Sequence, residues 1–254
     1  MRHARPLLRL QHALLACLWA ANAAVAAAWP QIAMPPGVRT FTVGEQIAAN
    51  GLPMRVQGFV VKDMEVAALA DWFRRSLGQP LVEDRLGNKL ILGRAQEGYY
   101  LSVQLEAAGP DGRGGSRGLL AVSDLLALNQ GRDSYEAKLQ RWMQRWPSGS
   151  QVISRTSSTD RGRAALHVVL QNGHSESLNR EALIDVMKQD GFALAREASA
   201  EAALTRQAQA LPYGGKAYFF NGNGKEAIAT IARDGQGHTT VVLNTSATLE
   251  GTPE

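Results

Sequence analysis

Histidines are the first residues to consider, because their side chains serve as metal ligands and as acid–base groups near neutral pH. The chain has five, and three of them follow residue 28: His167, His174 and His238. His167 falls on a predicted strand, and His174 falls in the turn after it. No H-x3-H pair, HExxH motif or carboxylate cluster accompanies them, so the spacing of a metal site is missing. We therefore expect no bound metal, and ordinary surface or cap positions for these side chains.

Serine and carboxylate side chains could also form an active site. After residue 28 the chain contains no S-x-x-K motif, and its one G-x-S-x-G match, at residues 114–118, precedes a predicted strand rather than the helix that a nucleophile elbow opens. Ser123-Asp124 or Ser177 could be combined with a histidine, but any chain of this size offers such combinations. Glu83 and Asp84 are adjacent on a predicted strand and would point to opposite faces, which suits solvated charges better than an acid–base pair. We expect no catalytic residues and a protein that is not an enzyme.

A glycine-rich loop over residues 112–118 has some features of a phosphate-binding loop. A G-x-G-x-x-G motif that begins at Gly112 would need glycine at position 117, where the chain has Arg117. A strand is predicted after the loop, rather than the helix whose N-terminus would hold a phosphate. The pattern therefore predicts a hairpin connection, and we expect no nucleotide or other cofactor.

The central region is the part of the chain whose composition suggests binding. Residues 129–163 contain seven Lys and Arg against three Asp and Glu. The run from Asp133 to Glu136 resembles a helix-capping box, and Pro147 would end the helix. Apolar and aromatic residues recur along it at helical spacing: Tyr135, Leu139, Trp142, Met143 and Trp146. The segment therefore predicts a basic amphipathic helix.

Because Trp and Arg are enriched in binding hot spots, this helix is the predicted partner-binding element. Its candidate residues are Lys138, Arg141, Trp142, Arg145 and Trp146. Two alternatives stay open. In the first, the tryptophan stripe packs onto a sheet and the arginines face water. In the second, the helix lies on anionic lipid, which its short length and the acidic residues Asp133 and Glu136 disfavour.

The N-terminal segment predicts export. Residues 1–12 hold three arginines and no acidic residue, residues 13–28 are apolar except for Asn22, and a small-x-small cleavage pattern closes the run. This is the three-part layout of a secretory signal peptide. The alternative is an uncleaved anchor, which the shortness of the apolar run disfavours. Cleavage would remove Cys17, the one cysteine, so the mature chain would be cysteine-free.

The formal net charge of +4 belongs largely to that signal. Without residues 1–28 the chain has 24 Lys and Arg against 23 Asp and Glu, so a nucleic-acid partner is not expected. No later window approaches about 20 apolar residues, so we expect no transmembrane span in the mature chain. A composition of 45% hydrophobic and 20% charged residues indicates a globular chain rather than a disordered one.

Periodicity predicts an α+β protein with two helix-on-antiparallel-sheet modules joined by a helical linker. The predicted signal peptide covers residues 1–28, and an extended Pro- and Gly-rich arm follows over 29–53. Module 1 covers 54–128, the basic helical linker covers 129–150, and module 2 covers 151–254. The elements of the two modules coincide in order when Gly78 is matched to Gly191, so a duplication is one explanation. An Ala-rich helix is predicted over about 200–210.

These observations favour an exported, non-catalytic envelope protein that binds or scaffolds another protein, such as an accessory component of a secretion, pilus or envelope-assembly system. The expected partner is another envelope protein. The periplasm is favoured because a cysteine-free exported chain suits it, and the alternatives are the extracellular space or, with an uncleaved signal, the inner membrane. Two other functions stay open: an exported hydrolase with a site built from scattered residues, and a soluble small-ligand-binding protein. The oligomeric state is left open.

Overall fold

The structure is a computed structural model, and it describes residues 29–109, 114–199 and 215–249. The predicted signal peptide and the predicted Ala-rich helix lie outside the described residues. In chain order the described elements are β1 (Arg39–Ala49), β2 (Leu52–Val61), α1 (Val66–Leu77), β3 (Val82–Leu86), β4 (Lys89–Gln96), β5 (Tyr99–Ala107), β6 (Ser116–Asp124), α2 (Leu125–Met143), β7 (Gln151–Asp160), β8 (Arg163–Asn172), α3 (Glu176–Gln189), β9 (Ala193–Ser199), β10 (Lys216–Gly222), β11 (Lys225–Arg233) and β12 (Thr239–Thr248). None of these helices combines the length and the apolar character that crossing a membrane requires.

All the described strands belong to one antiparallel sheet, so the predicted pair of helix-on-antiparallel-sheet modules is wrong. The strand order is β3-β4-β5-β6-β2-β1-β7-β8-β12-β11-β10-β9. β1 pairs with β7 in the middle of the sheet, where Gln46 lies opposite Thr159 and Ala49 lies opposite Thr156. The described residues from Ile32 onward accordingly belong to one compact unit.

The two strands that connect the halves of the sheet, β1 and β7, are the ones that the sequence patterns did not predict. β1 lies within 29–53, where prolines and glycines indicated an extended arm. Its pairing with β2 shifts register on both sides of Gly44, so the strand is irregular there. β7 has the sequence QVISRTSSTD, which lacks the alternation of apolar and polar residues that marks a half-buried strand. Both strands are hydrogen-bonded on each side, so backbone pairing holds them in place.

The helices lie on one face of the sheet. Partners in an antiparallel pair point to the same face, so the register places Leu92, Val103 and Leu120 side by side on the face that α1 covers. Val168 and Leu243 form a similar pair on the same side of the sheet beneath α3. The segment that ends α2 packs against this second cluster, so α2 also lies on this face.

The helical spacing of Val66, Leu69, Ala70, Phe73 and Leu77 predicts one apolar face, with Gly78 as the stop, and helix α1 follows that pattern closely. Leu69, Ala70, Phe73 and Leu77 are buried, and the Phe73 ring lies 5.9 Å from that of Phe59 on β2. The helix ends at Gly78, whose φ of 71° is the left-handed conformation that glycine adopts without a steric penalty. The apolar spacing and the glycine stop are therefore confirmed.

Helix α2 begins earlier than predicted. β6 runs directly into it, and Asp124 is its N-cap, accepting a hydrogen bond of 2.8 Å from the backbone N–H of Ala127. The predicted capping box at Asp133 therefore lies inside the helix. Asp124 is a typical N-cap residue, but no turn residue separates β6 from α2, so this start was not recognised in the sequence.

Candidate functional site

Helix α2 is packed differently from the two other described helices. Helices α1 and α3 each bury four side chains, whereas α2, which at 19 residues is the longest described helix, buries none. Helices in proteins draw most of their stability from an apolar face packed against the rest of the chain. A long helix with only half-buried contacts leaves room between itself and the sheet, and it is therefore the first place to look for a site.

The segment after α2 is anchored in the core. Trp146 is 5% exposed and belongs to the cluster that contains Val168, Leu170 and Met187. Trp142 packs against the edge of that cluster, with its ring centroid 5.4 Å from that of Trp146. The Trp146 ring is thus occupied within its own chain, while Trp142 keeps part of its surface accessible.

Arg145 links this segment to α3. One of its terminal nitrogens donates to the backbone carbonyl of Val186 at 2.6 Å and to the carboxylate of Asp190 at 2.9 Å. Both acceptors lie at the C-terminal end of α3, where a positive charge also favours the helix dipole. Substitution of Arg145 would disturb this contact between helices as well as the surface charge.

Lys138 and Arg141 are exposed on α2. The Arg141 side chain donates to the carbonyl of Ala137 within its own helix at 3.3 Å. Of the five candidate residues, Lys138 and Arg141 are thus exposed cations and Trp142 is half-buried. Arg145 and Trp146 are already engaged in contacts within the chain. Partner binding by these five residues stays a prediction.

A cavity of about 240 Å³ lies between α2 and the sheet. Its lining combines aromatic, aliphatic and cationic side chains: Tyr135, Lys138, Leu139, Trp142, Arg155 and Leu166. The first four come from α2, and the last two come from β7 and β8. The sequence indicated Arg155 only as part of a basic segment, because β7 was not recognised as a strand, and no pattern in the sequence singled out Leu166.

The turn between β1 and β2 supports one side of the cavity. Asn50 exchanges two hydrogen bonds with Arg155: its backbone N–H donates to the Arg155 carbonyl at 2.7 Å, and its side-chain oxygen accepts from the Arg155 N–H at 2.8 Å. Gly51, at φ 81°, lies against the Tyr135 ring, and a Cβ there would stand 2.8 Å from it. The Arg155 guanidinium lies 5.7 Å from the centre of that ring.

The histidines make local hydrogen bonds. The Nδ1 atom of His167 lies 2.7 Å from the side-chain oxygen of Asn244, and the Nε2 atom of His174 lies 2.7 Å from the carbonyl of Ser148. The backbone N–H of His238 donates to Asp234, and this bond is the main reason that the pKa of Asp234 is lowered. Among the described residues, no group of three or more His, Cys, Asp and Glu is placed to hold a metal ion.

The other polar residues considered from the sequence also have structural contacts. Asp124 caps α2, and the neighbouring Ser123 is buried. Glu83 accepts two hydrogen bonds from Arg74, and these lower the pKa of its carboxyl group. Asp84 accepts from the backbone N–H of its neighbour Arg85.

The sheet face opposite the helices carries a second feature, and we call this face, which includes Phe41, Gly58 and Leu119, the open face. These three residues are neighbours in one row across β1, β2 and β6. The Phe41 ring lies on Gly58, where a Cβ would stand only 2.2 Å from it. Phe41 is 54% exposed and Leu119 is 37% exposed. With the half-buried Val56 and Val60 they form an apolar patch.

Charges border this patch. The next row along the strands contains Arg39, Val60, Arg117 and Glu106, and the Nε atom of Arg117 lies 2.9 Å from the Glu106 carboxylate. Both signs of charge are therefore present at the edge. Exposed apolar side chains with a polar rim are typical of surfaces that bind other molecules.

Comparison with known proteins yields no relative. No protein-family model, no curated protein and no solved structure matches the chain.

Proposed function

We propose that this chain is an exported, non-catalytic envelope protein that binds another envelope protein through the open face of its sheet. The observation that carries the proposal is the apolar row of Phe41 and Leu119 on a face that has no helix among the described elements. The basic start, the apolar run and the small-residue pattern of residues 1–28 support export. A scaffolding role in secretion, pilus or envelope assembly fits this combination.

Three properties make the patch suitable for a protein partner. Its large side chains extend from strands whose backbone is already ordered by hydrogen bonds, so little conformational entropy is lost when a partner packs on them. Gly58 leaves a flat place for the Phe41 ring, which is therefore already positioned. The rim carries Arg39, Arg117 and Glu106, so a partner with an apolar segment flanked by charges of both signs would fit.

Site-specific crosslinking in the native envelope tests this proposal. A photoreactive amino acid at Leu119 is expected to crosslink one defined envelope protein, identified by mass spectrometry. The same amino acid at Leu178, which is 42% exposed on α3, should not crosslink that protein. Adding Phe41→Asp to the Leu119 probe should remove the product, because a carboxylate would have to be buried without a partner.

Two outcomes would contradict the proposal. Equal crosslinking from Leu119 and Leu178 would indicate random collisions, and a product that survives Phe41→Asp would show that the apolar row does not hold the partner. Thermal unfolding of the Phe41→Asp variant controls for folding. The side chain is already half exposed, so its melting temperature should stay close to that of the unmodified chain.

A further inference from the structure

In the part of the chain that the structure describes, the cavity between α2 and the sheet is lined by two cations and by no acidic side chain. Arg155 is half-buried and Lys138 stands at the edge of the same cavity. Among the described residues, neither side chain forms a salt bridge, and the Arg155 guanidinium lies 5.7 Å from the centre of the Tyr135 ring. A partly buried cation without a counter-ion is costly, because water is removed from it and no opposite charge replaces the water.

The remaining walls of the cavity are apolar. Leu139 and Trp142 come from α2, and Leu166 comes from β8. Cavities that bind small molecules combine such walls with a few polar groups that fix the orientation of the ligand. The cations and the apolar walls therefore require a ligand with two parts, an anionic group and an apolar body.

The cavity is supported before any ligand binds. The backbone of Arg155 is held by its two hydrogen bonds with Asn50, and the Tyr135 ring is held against Gly51. Because these contacts fix the cation and one wall, little ordering is needed on binding.

We propose that this cavity binds a small anionic amphiphile, with its carboxylate on Arg155 and Lys138 and its apolar body against Leu139, Trp142 and Leu166. The volume of about 240 Å³ is several times the roughly 30 Å³ that one water molecule occupies in the liquid, so the cavity suits a short-chain ligand such as one of about eight carbon atoms. The site lies on the helix face of the sheet and is separate from the open face of the proposed function.

Binding of octanoate to the purified protein is the direct test. We expect saturable one-to-one binding by calorimetry and a change in tryptophan fluorescence, because Trp142 lines the cavity. 1-Octanol has the same number of carbon atoms without the charge, and octyltrimethylammonium has the opposite charge. A charge-assisted pair with Arg155 predicts that octanol binds about tenfold to hundredfold more weakly, and the ammonium compound should bind most weakly of the three.

Two variants locate the site. Arg155→Gln should weaken octanoate binding about tenfold or more while leaving octanol binding unchanged. Its matched control is Arg141→Gln, which removes an exposed arginine of α2 that does not line the cavity. Leu166→Phe keeps both cations and fills the apolar part, so it should weaken octanoate and octanol equally. The Leu166 variant also keeps the test decisive if Arg155→Gln does not fold.

The proposal is overturned if octanoate does not bind, or if octanoate and octanol bind equally. It is also overturned if Arg155→Gln and Arg141→Gln weaken binding by the same factor, because a general effect of net charge would then explain the result. Loss of octanoate binding in Leu166→Phe with crosslinking at Leu119 intact would leave the proposed function standing, so failures of the two ideas are distinguishable.

Discussion

Counted outward from the central pair, one half of the sheet runs β1-β2-β6-β5-β4-β3 and the other runs β7-β8-β12-β11-β10-β9. In each half a helix stands between the second and the third strand of the chain order, α1 in the first half and α3 in the second. The halves therefore share one plan of strands and helix within a continuous sheet. Comparing corresponding positions shows which side-chain interactions occur in both halves and which differ between them.

A buried hydroxyl occurs at the same place in both halves. Ser116 and Thr239 begin the last strand of each half, and each is fully buried. The Ser116 hydroxyl donates to the carbonyl of Met64 at 2.6 Å, and the Thr239 hydroxyl donates to the carbonyl of His174 at 2.5 Å. Both carbonyls lie in the segment between the second strand and the helix. The plan therefore uses a side-chain donor to fix the loop that leads into each helix.

The residues around that loop differ between the halves. In the first half Val61 ends the second strand, and Leu69 is the fourth residue after the N-cap of α1. In the second half the corresponding positions are Asn172 and Asn179. Their amides exchange hydrogen bonds of 2.7 and 3.0 Å, and Ser150 accepts a further bond from Asn172. The same two positions therefore hold apolar side chains in the first half and hydrogen-bonded amides in the second. A buried amide is tolerated there because its hydrogen bonds are made.

The largest expected effect comes from converting the polar pair toward the apolar one. Asn179→Leu should lower the free energy of unfolding by about 2–3 kcal/mol, because it removes both hydrogen bonds between the two amides and the bond from Asn179 to the Ser175 carbonyl. The double variant Asn172→Val, Asn179→Leu should cost at least about 1 kcal/mol less than the sum of the single variants. Chemical denaturation measures both. Strictly additive costs would show that the two amides do not act as a pair.

An exposed asparagine serves as the control for that experiment. Asn129→Leu on α2 changes the same functional group at a solvent-facing position, and it should alter stability by less than about 0.5 kcal/mol. A comparable loss there would mean that leucine is generally unfavourable in these helices.

A smaller difference is expected from the two buried hydroxyls. Ser116→Ala should cost about 1–2 kcal/mol, because it removes the side-chain donor to the Met64 carbonyl. Thr239→Val should cost less, because Arg233 also donates to the His174 carbonyl, at 2.5 Å. Denaturation of both variants, with Ser102→Ala on the open face as control, measures the difference. Equal costs would show that Arg233 does not compensate.

The smallest effect concerns the edge strands. Arg74 of α1 binds Glu83 of β3, and Arg180 of α3 binds Glu197 of β9. These hydrogen bonds lower the pKa of both glutamates, so their stabilising contribution is present above the ordinary glutamate pKa and is lost as the pH falls through the lowered value. Glu83→Gln and Glu197→Gln should each reduce the melting temperature slightly at pH 7.

That small loss should disappear at an acidic pH below the lowered pKa of the two glutamates, because the unmodified side chains are then protonated as well. Glu136→Gln, at an exposed position of α2, should leave the melting temperature close to that of the unmodified chain. If the Glu83 and Glu197 variants differ from the unmodified chain equally at both pH values, the cause is packing at the sheet edges and not charge.

Only part of the candidate site was accessible from the sequence. The helical spacing of Tyr135, Leu139 and Trp142 indicated one apolar side of α2, and these residues do line the cavity. Arg155 and Leu166 complete the cavity from two strands, and no spacing along the chain relates them to the helix. The open-face patch was also not foreseen, because Phe41 and Leu119 come together only through the pairing of β1 and β6 with β2.

The sequence by itself determined most of the local elements, though not β1, β7 or the start of α2. The apolar stripe and Gly78 defined α1, and alternation defined most of the strands of the two meanders, since side-chain burial imposes those periods on the residues themselves. Only the tertiary structure decided that the halves form one sheet. The β1–β7 pair that joins them, from Gln46–Thr159 to Ala49–Thr156, is held by backbone hydrogen bonds. Nearly every residue can make those bonds, so they leave no pattern of side chains in the sequence.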